Sequence, residues 1–258
     1  MDYSTITLVN RNDVAVLTLN RPDKMNALNT QMRAEITHAV HDVQGQARVL
    51  VITGAGKAFC SGQDLGDGGN AARLDLERTL RDEYVPMLRA IVESRIPTIA
   101  AVNGPAAGAG ANLALIADVV MASYDAYFVQ AFTRIGLIPD AGGTWMLPRQ
   151  IGLARAMGAA LFADKISAIQ AADWGMIYEA APAKEFTAHW QDRAAQLAKG
   201  PTKTFEHLKE AMRASFDNTL DQQLTLEAKL QGKCGQTRDF QEGVLAFLEK
   251  RPASFEGR

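Results

Sequence analysis

The chain has 258 residues, of which 47% are hydrophobic and 22% are charged, and its formal net charge is −2. This balance is typical of a globular protein with a sizeable core, and it disfavours a dedicated nucleic-acid binder, which normally carries a basic surplus. No apolar run reaches transmembrane length, the N-terminus lacks the features of a signal peptide, and the two cysteines, Cys60 and Cys234, are far apart. We therefore expect a reduced, cytoplasmic protein with no membrane or nucleic-acid partner.

Short apolar and β-branched runs predict strands in the first part of the chain. The runs at residues 6–9 and 14–19 predict a hairpin. The unbroken apolar runs at residues 49–53 and 98–102 predict buried strands, since a strand covered on both faces has no polar alternation.

Helical patterns separate these strands and dominate the rest of the chain. The first helix follows a cap at Asn29 or Thr30, and a second pattern runs from Leu74 to Arg95. A strand-rich part followed by helices alone predicts a core, residues 1–198, and a helical C-terminal region, residues 199–258.

One carboxylate, Asp140, lies in the apolar, glycine-rich segment 135–145, and no Lys or Arg occurs between Arg134 and Arg149. A carboxylate in low-dielectric surroundings has a raised pKa, as a general acid or base needs near neutral pH. The Pro-Asp-x-Gly pattern is equally typical of a surface turn, in which the Asp bonds its own backbone. Helix is predicted only later, from Ile151 to Phe162.

A loop of small residues, 103–110, follows the strand at 98–102 and precedes an apolar helix. Free backbone N–H groups at the start of such a helix can bind a negatively charged oxygen. Small residues also permit tight packing of a strand against a helix. The two interpretations are compatible, and these residues alone leave both open.

Four segments together resemble the crotonase, or enoyl-CoA hydratase/isomerase, superfamily, and they occur in the family's order and spacing. They are residues 19–28, 54–65, 101–118 and 136–149, and the ending at 242–251 is similar as well. The resemblance covers essentially the whole chain. It implies an α/β fold with a crotonase-type ββα spiral core and a C-terminal helical trimerisation region, CoA-thioester substrates, and trimers or hexamers made of two trimers.

Within the superfamily the chain looks closest to the ring-epoxide isomerases of aerobic phenylacetate degradation. These enzymes convert 1,2-epoxyphenylacetyl-CoA to oxepin-CoA. The similarity is most marked in residues 59–65, 136–145 and 173–177.

The resemblance also implies site residues. Two backbone N–H groups hold the thioester carbonyl in this family, and on this sequence they belong to Gln63 and Ala109. Ala109 lies where the helix after the small-residue loop begins, which agrees with a role in binding an oxyanion. Lys24 is expected to meet the CoA phosphates, as are Phe247 and Lys250, which would reach a neighbouring subunit's site. The thioester and pantetheine arm would lie along Ser61, Gly62, Gln63, Asp64 and Leu65.

Departures from the hydratases of the family determine the expected reaction. Those enzymes use two glutamates to activate a water, and the matching positions here hold Asn112 and Phe132, while Asp140 stands where they carry glycine. One carboxylate suffices to remove a proton at one carbon and return it two bonds away. We therefore predict an isomerase that uses Asp140, with Δ3-to-Δ2 enoyl-CoA isomerisation as a second activity, and no metal or cofactor beyond the CoA of the substrate.

Other functions remain open. One is hydration, or another reaction of CoA esters on the same fold, such as a dehalogenase-like use of Asp140 as nucleophile. Another is a non-catalytic, RNA-binding member of the superfamily, against which the acidic balance and the lack of a Lys/Arg-rich helix argue. Cys60 is expected to be buried packing, since no His lies near it in sequence to activate a nucleophile.

Overall fold

A computed structural model describes residues 2–66 and 75–258. Its strands are β1 (Ile6–Arg11), β2 (Val14–Leu19), β3 (Val49–Gly54), β4 (Thr98–Val102), β5 (Ala106–Ala107), β6 (Val119–Ser123), β7 (Tyr127–Val129), β8 (Ile166–Ser167) and β9 (Glu179–Ala181). Its α-helices are α1 (Thr30–Asp42), α2 (Leu76–Thr79), α3 (Val85–Val92), α4 (Ala109–Leu115), α5 (Gly143–Phe162), α6 (Ala168–Asp173), α7 (Phe186–Ala198), α8 (Thr202–Ala214), α9 (Leu220–Gly235) and α10 (Arg238–Glu249).

The strands form two sheets, and the chain alternates between them. The larger sheet has the order β1-β2-β3-β4-β6-β9 and is parallel except for the antiparallel edge strand β1. The smaller sheet has the order β5-β7-β8. Strand β4 is followed by β5 and α4, and β6 by β7 and α5, so that a strand in each sheet precedes a helix. This repeated ββα unit confirms the predicted α/β class.

The predicted hairpin and buried strands are confirmed, and they place the core on both faces of the larger sheet. Successive side chains of a strand point to opposite faces. Leu50 and Ile52 of β3 therefore join the core that contains α1 and α3, while Val49 and Val51 pack in a second cluster with Trp190 of α7. Burial on both faces explains why β3 and β4 lack polar alternation.

One helix prediction was wrong at its start. Helix α5 begins at Gly143 rather than Ile151, although its first residues include glycine and Pro148; the backbone kinks at Gly152, whose φ is 76°. The segment predicted from Leu74 to Arg95 is helical from Leu76 to Val92, with a π-helical turn, Leu80–Tyr84, between α2 and α3. Leu74 lies outside the described residues.

Helix α8 of the C-terminal region is tied to the strands by half-buried polar contacts. Asp118, just before β6, forms ion pairs with Lys209 at 2.8 Å and Arg213 at 2.6 Å, both on α8. Arg48, just before β3, donates to the Thr202 hydroxyl at 2.9 Å. The division at residue 198 into two domains stays a prediction. Within residues 2–66 and 75–258, no helix has the length and apolarity needed to cross a membrane.

Glu35 of α1 anchors the start of β1. Its carboxylate accepts hydrogen bonds from the backbone N–H and the hydroxyl of both Ser4 and Thr5, and from the Gln31 side chain. Burial by itself raises the pKa of Glu35, but these hydrogen bonds outweigh it and lower the pKa to about 2. The ionised carboxylate therefore stabilises the fold above the ordinary glutamate pKa, and this stabilisation is lost as the pH falls towards 2.

We predict that Glu35→Gln lowers the free energy of unfolding by roughly 1–3 kcal/mol at neutral pH, since it removes charge-assisted hydrogen bonds. The difference from the wild type should shrink as the pH falls from the ordinary glutamate pKa, where the unfolded chain takes up a proton, to about 2, where the folded carboxylate does. Chemical denaturation across this pH range measures both effects. Glu77→Gln is the control, because the Glu77–Arg81 ion pair is exposed; an equal loss in both variants would contradict the prediction.

Candidate active site

Backbone pairing brings together the two loops that carry Gln63 and Ala109. The Ala107 N–H donates to the Cys60 carbonyl at 2.9 Å, and the Cys60 N–H donates to the Pro105 carbonyl at 3.2 Å. Gly62 has a φ of 98°, and a Cβ there would lie 2.8 Å from the Ala107 carbonyl oxygen and 3.5 Å from the Ala109 nitrogen. The residue before Gln63 therefore lies directly against the start of α4.

The backbone N–H groups of Gln63 and Ala109 are both available to a ligand. Leu28 pairs with residues 62–64. The Leu28 N–H donates to the Gly62 carbonyl, and the Leu28 carbonyl accepts from the Asp64 N–H. The Gln63 N–H takes no part in this pairing. Neither the Gln63 nor the Ala109 N–H has an acceptor in the described part of the chain. Buried N–H groups without acceptors are rare in folded proteins. Two N–H groups without acceptors at one site are therefore suited to bind an oxygen that carries negative charge.

The side chain of Gln63 is fixed by residues that sequence reasoning missed. Its Oε1 accepts from Arg33 at 2.9 Å and from the Tyr84 hydroxyl at 2.6 Å. Arg33 is only 1% exposed and forms an ion pair with Glu83. Arg33 belongs to the buried face of α1, where the sequence pattern predicts apolar residues and gives no signal of a buried cation.

Asp140 opens a turn that leads into α5. Its carbonyl accepts from the Gly143 N–H at 2.8 Å and from the Asn112 side chain at 2.7 Å. The two central residues, Ala141 and Gly142, have positive φ angles of 48° and 84°. Asn112 lies one helical turn after Ala109 on α4, so this contact brings the Asp140 turn to the helix that carries one of the two N–H groups.

The carboxyl of Asp140 is partly shielded from solvent, and the residue as a whole is half-buried. Its Oδ1 is shielded and has no hydrogen-bond partner among the residues that the structure describes. This desolvation raises the pKa of Asp140 to about 6. Burial raises the pKa of Tyr84, and the charge of Asp140 adds to this rise while Arg33 opposes it. The segment is a turn, but not the solvated turn that the Pro-Asp-x-Gly pattern also allowed.

Asn112 and Phe132, which match the hydratase glutamates, both lie at this site. Phe132 is buried, and its ring would lie 3.7 Å from a Cβ on Gly108. Asn112 is fully buried and accepts a hydrogen bond from Gln130 at 2.9 Å. In the described ranges, no group of three His, Cys, Asp or Glu side chains is placed to hold a metal ion.

The other predicted binding residues are less closely grouped. Ser61 and Lys24 are exposed neighbours, since the Ser61 hydroxyl donates to the Lys24 carbonyl at 3.3 Å. Leu65 is half exposed, and Asp64 forms an ion pair with Arg21 at 2.8 Å. Burial raises the pKa of Asp64, but the Arg21 hydrogen bond and further contacts lower it below its usual range.

Phe247 and Lys250 lie at the exposed end of α10. No hydrogen bond or ion pair of residues 2–66 and 75–258 connects them to the loop at 61–65. Their contribution to substrate binding, like that of the residues in the loop, stays a prediction. Cys60 is confirmed as buried packing: it is fully shielded, and burial raises its pKa to about 12.

The family model for enoyl-CoA hydratase/isomerase matches residues 10–258. The chain belongs to this family. It is 60% identical, over the full length of both chains, to a Rhodobacter capsulatus protein named "probable enoyl-CoA hydratase". It is also 44% identical, over 95% of each chain, to the Escherichia coli K12 protein named 1,2-epoxyphenylacetyl-CoA isomerase.

Solved structures of the enoyl-CoA hydratase/isomerase family share the fold. A crystal structure of an enoyl-CoA hydratase subunit from Geobacillus kaustophilus superposes with a TM-score of 0.93 at 32% identity, covering all of both chains. The crotonase-type fold is thereby confirmed. As a member of the enoyl-CoA hydratase/isomerase family, the chain is an enzyme that acts on CoA thioesters.

The raised pKa of Asp140 predicts a stability difference with a definite sign. A carboxyl whose folded pKa lies above its unfolded pKa begins to cost stability as the pH rises past the unfolded value, and the cost is complete above the folded value. Asp140→Asn removes this cost, so the variant should be more stable than the wild type by roughly 1–3 kcal/mol above pH 6, with no difference below about pH 4. Chemical denaturation at several pH values measures the difference.

Asp64→Asn is the matched control with the opposite sign. The pKa of Asp64 is lowered, with Arg21 as its ion-pair partner, so removing this carboxylate should lower stability at neutral pH. If Asp140→Asn were also destabilising above pH 6, the carboxyl of Asp140 would not be desolvated as described.

Proposed function

We propose that this enzyme is an isomerase of acyl-CoA thioesters, with 1,2-epoxyphenylacetyl-CoA as its substrate and oxepin-CoA as its product. The observation that carries the proposal is a single shielded carboxyl, that of Asp140, beside Asn112 and Phe132 in place of the hydratase glutamates. The identity to the Escherichia coli protein of that name supports the same reaction.

The thioester carbonyl would accept hydrogen bonds from the N–H groups of Gln63 and Ala109. A 3-enoyl thioester illustrates the chemistry most simply. The Asp140 carboxylate removes a proton from C2, the negative charge moves to the carbonyl oxygen, and the carboxylic acid returns the proton to C4, so that the double bond shifts from Δ3 to Δ2. Each N–H donor contributes roughly 3 kcal/mol to stabilisation of the enolate, by analogy with other oxyanion holes.

A pKa of about 6 suits this proton transfer, because the carboxyl is ionised at neutral pH and still basic enough to take up a proton. For the epoxide, Asp140 either steers ring opening or shuttles a proton while the thioester is polarised. Both roles need only the carboxyl and the two N–H donors. We therefore propose that the enzyme uses no metal and no cofactor beyond the CoA of its substrate.

Hydration of an enoyl-CoA is the second candidate, favoured by the 60% identity to the Rhodobacter capsulatus protein named "probable enoyl-CoA hydratase". Asp140 would then have to activate the water and protonate C2 by itself, since Asn112 cannot transfer a proton and Phe132 has no polar atom. A third reaction, attack by Asp140 as nucleophile, would leave an aspartyl ester that mass spectrometry of trapped enzyme would detect.

We also propose that the enzyme is a cytoplasmic homotrimer, or a hexamer of two trimers. Large apolar side chains of the C-terminal helices are exposed in the single chain, and exposed apolar patches mark interaction surfaces. They include Met212, Phe216, Leu220, Leu224, Phe247 and Leu248. Assembly through these helices would carry Phe247 and Lys250 to a neighbouring subunit's site. The free cysteines Cys60 and Cys234 are consistent with a reducing compartment.

We predict that Asp140→Asn lowers kcat for the isomerase reaction by roughly 10²–10⁴-fold, the usual contribution of a general acid or base. KM should change by less than about threefold, because the amide fills the same space and the two N–H donors remain. Ultraviolet absorbance and product mass follow the reactions of epoxyphenylacetyl-CoA, a 3-enoyl-CoA and crotonyl-CoA.

Asp125→Asn, at an exposed turn, is the control and should retain full activity. Near-normal turnover in Asp140→Asn would remove Asp140 from the mechanism. If the wild type adds water to crotonyl-CoA and leaves the other two substrates unchanged, the enzyme is a hydratase and the isomerase proposal is wrong.

A further inference from the structure

Two buried side-chain amides connect β7 to the Asp140 turn. Gln130, the residue after β7, donates through Nε2 to the Asn112 Oδ1 at 2.9 Å, and Asn112 donates through Nδ2 to the Asp140 carbonyl at 2.7 Å. Gln130 and Asn112 are both fully shielded from solvent. The hydrogen bond from Gln130 orients the Asn112 amide, so that its NH₂ group faces the turn.

The turn at 140–143 needs such support for two reasons. Ala141 has a φ of 48°, in the left-handed region that costs an alanine about 1–2 kcal/mol. The Oδ1 of Asp140 is also shielded from solvent without a partner among the described residues, and ionisation favours any rearrangement that returns it to water.

Asn112 and the glycine at 143 fit each other closely. A Cβ on Gly143 would overlap the Asn112 side-chain amide, so only glycine lets the chain approach Asn112 at this distance. The contact therefore depends on two features: the buried amide donor of Asn112 on α4, and the lack of a side chain at Gly143.

We propose that Asn112 is a positioning residue, which holds the turn at 140–143 through the backbone carbonyl of Asp140 and so keeps the carboxyl in its partly shielded position. This inference rests on the proposed function of Asp140 as the proton-transfer group. The Asn112 side-chain amide cannot transfer a proton. Asn112 acts instead through the main chain of Asp140, whose carboxyl is the proposed proton-transfer group.

The electrostatic surroundings of Asp140 make the position of its carboxyl measurable. The pKa of Asp140 is raised by desolvation, opposed by a hydrogen bond from its own backbone, and no charged side chain in the described ranges adds to the shift. The charge of Asp140 adds to the raised pKa of Tyr84, whose hydroxyl shares the Gln63 Oε1 with Arg33. A turn that relaxes towards solvent should therefore lower the Asp140 pKa towards the ordinary value of an aspartate.

The test replaces Asn112 by Leu, which has a similar volume and no donor. We expect kcat to fall roughly 10–10²-fold, as for other displacements of a catalytic group by about 1 Å, and KM to change by less than about threefold. The inflection in the pH profile of kcat/KM should move from about 6 towards the ordinary aspartate range.

Thr98→Val is the matched control. Thr98 is an equally buried polar residue at the start of β4, where its hydroxyl donates to the Asp118 carboxylate at 2.9 Å and accepts from the Asp118 N–H at 2.9 Å. Its loss should destabilise the protein by removing buried hydrogen bonds and leave the inflection of the pH profile near 6. If Asn112→Leu leaves kcat and the inflection unchanged, or shifts them no more than Thr98→Val does, Asn112 is only structural and the proposal is wrong.

A second measurement needs no turnover and separates this proposal from the proposed function. In the wild type, Asp140→Asn should raise the melting temperature above pH 6; in the Asn112→Leu background most of this rise should disappear, because the carboxyl is already solvated. An undiminished rise overturns the positioning role. Absence of isomerase activity in the wild type, with the rise diminished as expected, overturns the proposed function alone.

Gln130→Leu keeps the proposal testable if Asn112→Leu does not fold. The Oε1 of Gln130 is buried without a partner, so its removal costs the fold less than the loss of a fully bonded amide. This variant frees the Asn112 amide and should shift kcat and the pH inflection in the same direction by a smaller amount. An unchanged pH profile in folded Gln130→Leu would contradict the proposal that Gln130 supports the Asp140 turn by orienting the Asn112 amide.

Discussion

The backbone pairing of Cys60 with residues 105–107 is the contact on which the candidate site depends. It joins the loop after β3 to the loop before α4, and it brings Gly62, the residue before Gln63, against the start of α4. The pairing uses main-chain atoms and needs only small residues, such as Gly62 and Gly110, where the chains approach. Because it does not depend on the side chains at 112, 132 and 140, one fold can keep this backbone arrangement and change the side chains beside it.

The Asp140 turn holds a carboxyl where its ionised form is poorly solvated. Within residues 2–66 and 75–258, Asp140 has no basic partner to offset its desolvation, and the turn that carries it includes an alanine in a left-handed conformation. Hydrogen bonds to the backbone carbonyl of Asp140 stabilise the turn without neutralising the carboxyl. An arginine in the same place would fix the turn equally well, but it would lower the pKa and remove the basicity that proton transfer requires.

The features that sequence reasoning predicted are those with a local pattern. The unbroken apolar runs around Val51 and Ile99 predicted buried strands, and the absence of basic residues near Asp140 predicted its raised pKa. Arg33 could not be predicted, because its burial depends on Gln63 and Glu83, which are distant in sequence. Hydrophobic periodicity alone assigns a cationic residue such as Arg33 to the solvent-exposed face of a helix.

The role of Asn112 and the start of α5 were missed for a related reason. The match to a hydratase glutamate drew attention to the proton that Asn112 cannot carry, whereas its hydrogen bond to Asp140 depends on how α4 meets a turn formed much later in the chain. Gly142 and Gly143 indicate a loop when read locally. In the structure Gly142 closes the turn and Gly143 begins α5, since packing against Asn112 overrides low helix propensity.

The burial of the Cys60 thiol determines whether this residue can react with the proposed epoxide substrate. Epoxides alkylate thiolates, and the Cys60 sulfur lies in the same loop as Gln63, where it donates to the Asn26 carbonyl at 3.1 Å. With a pKa of about 12 and no exposure to solvent, almost none of this thiol is ionised at neutral pH. Burial thus keeps this thiol unreactive towards the proposed epoxide substrate.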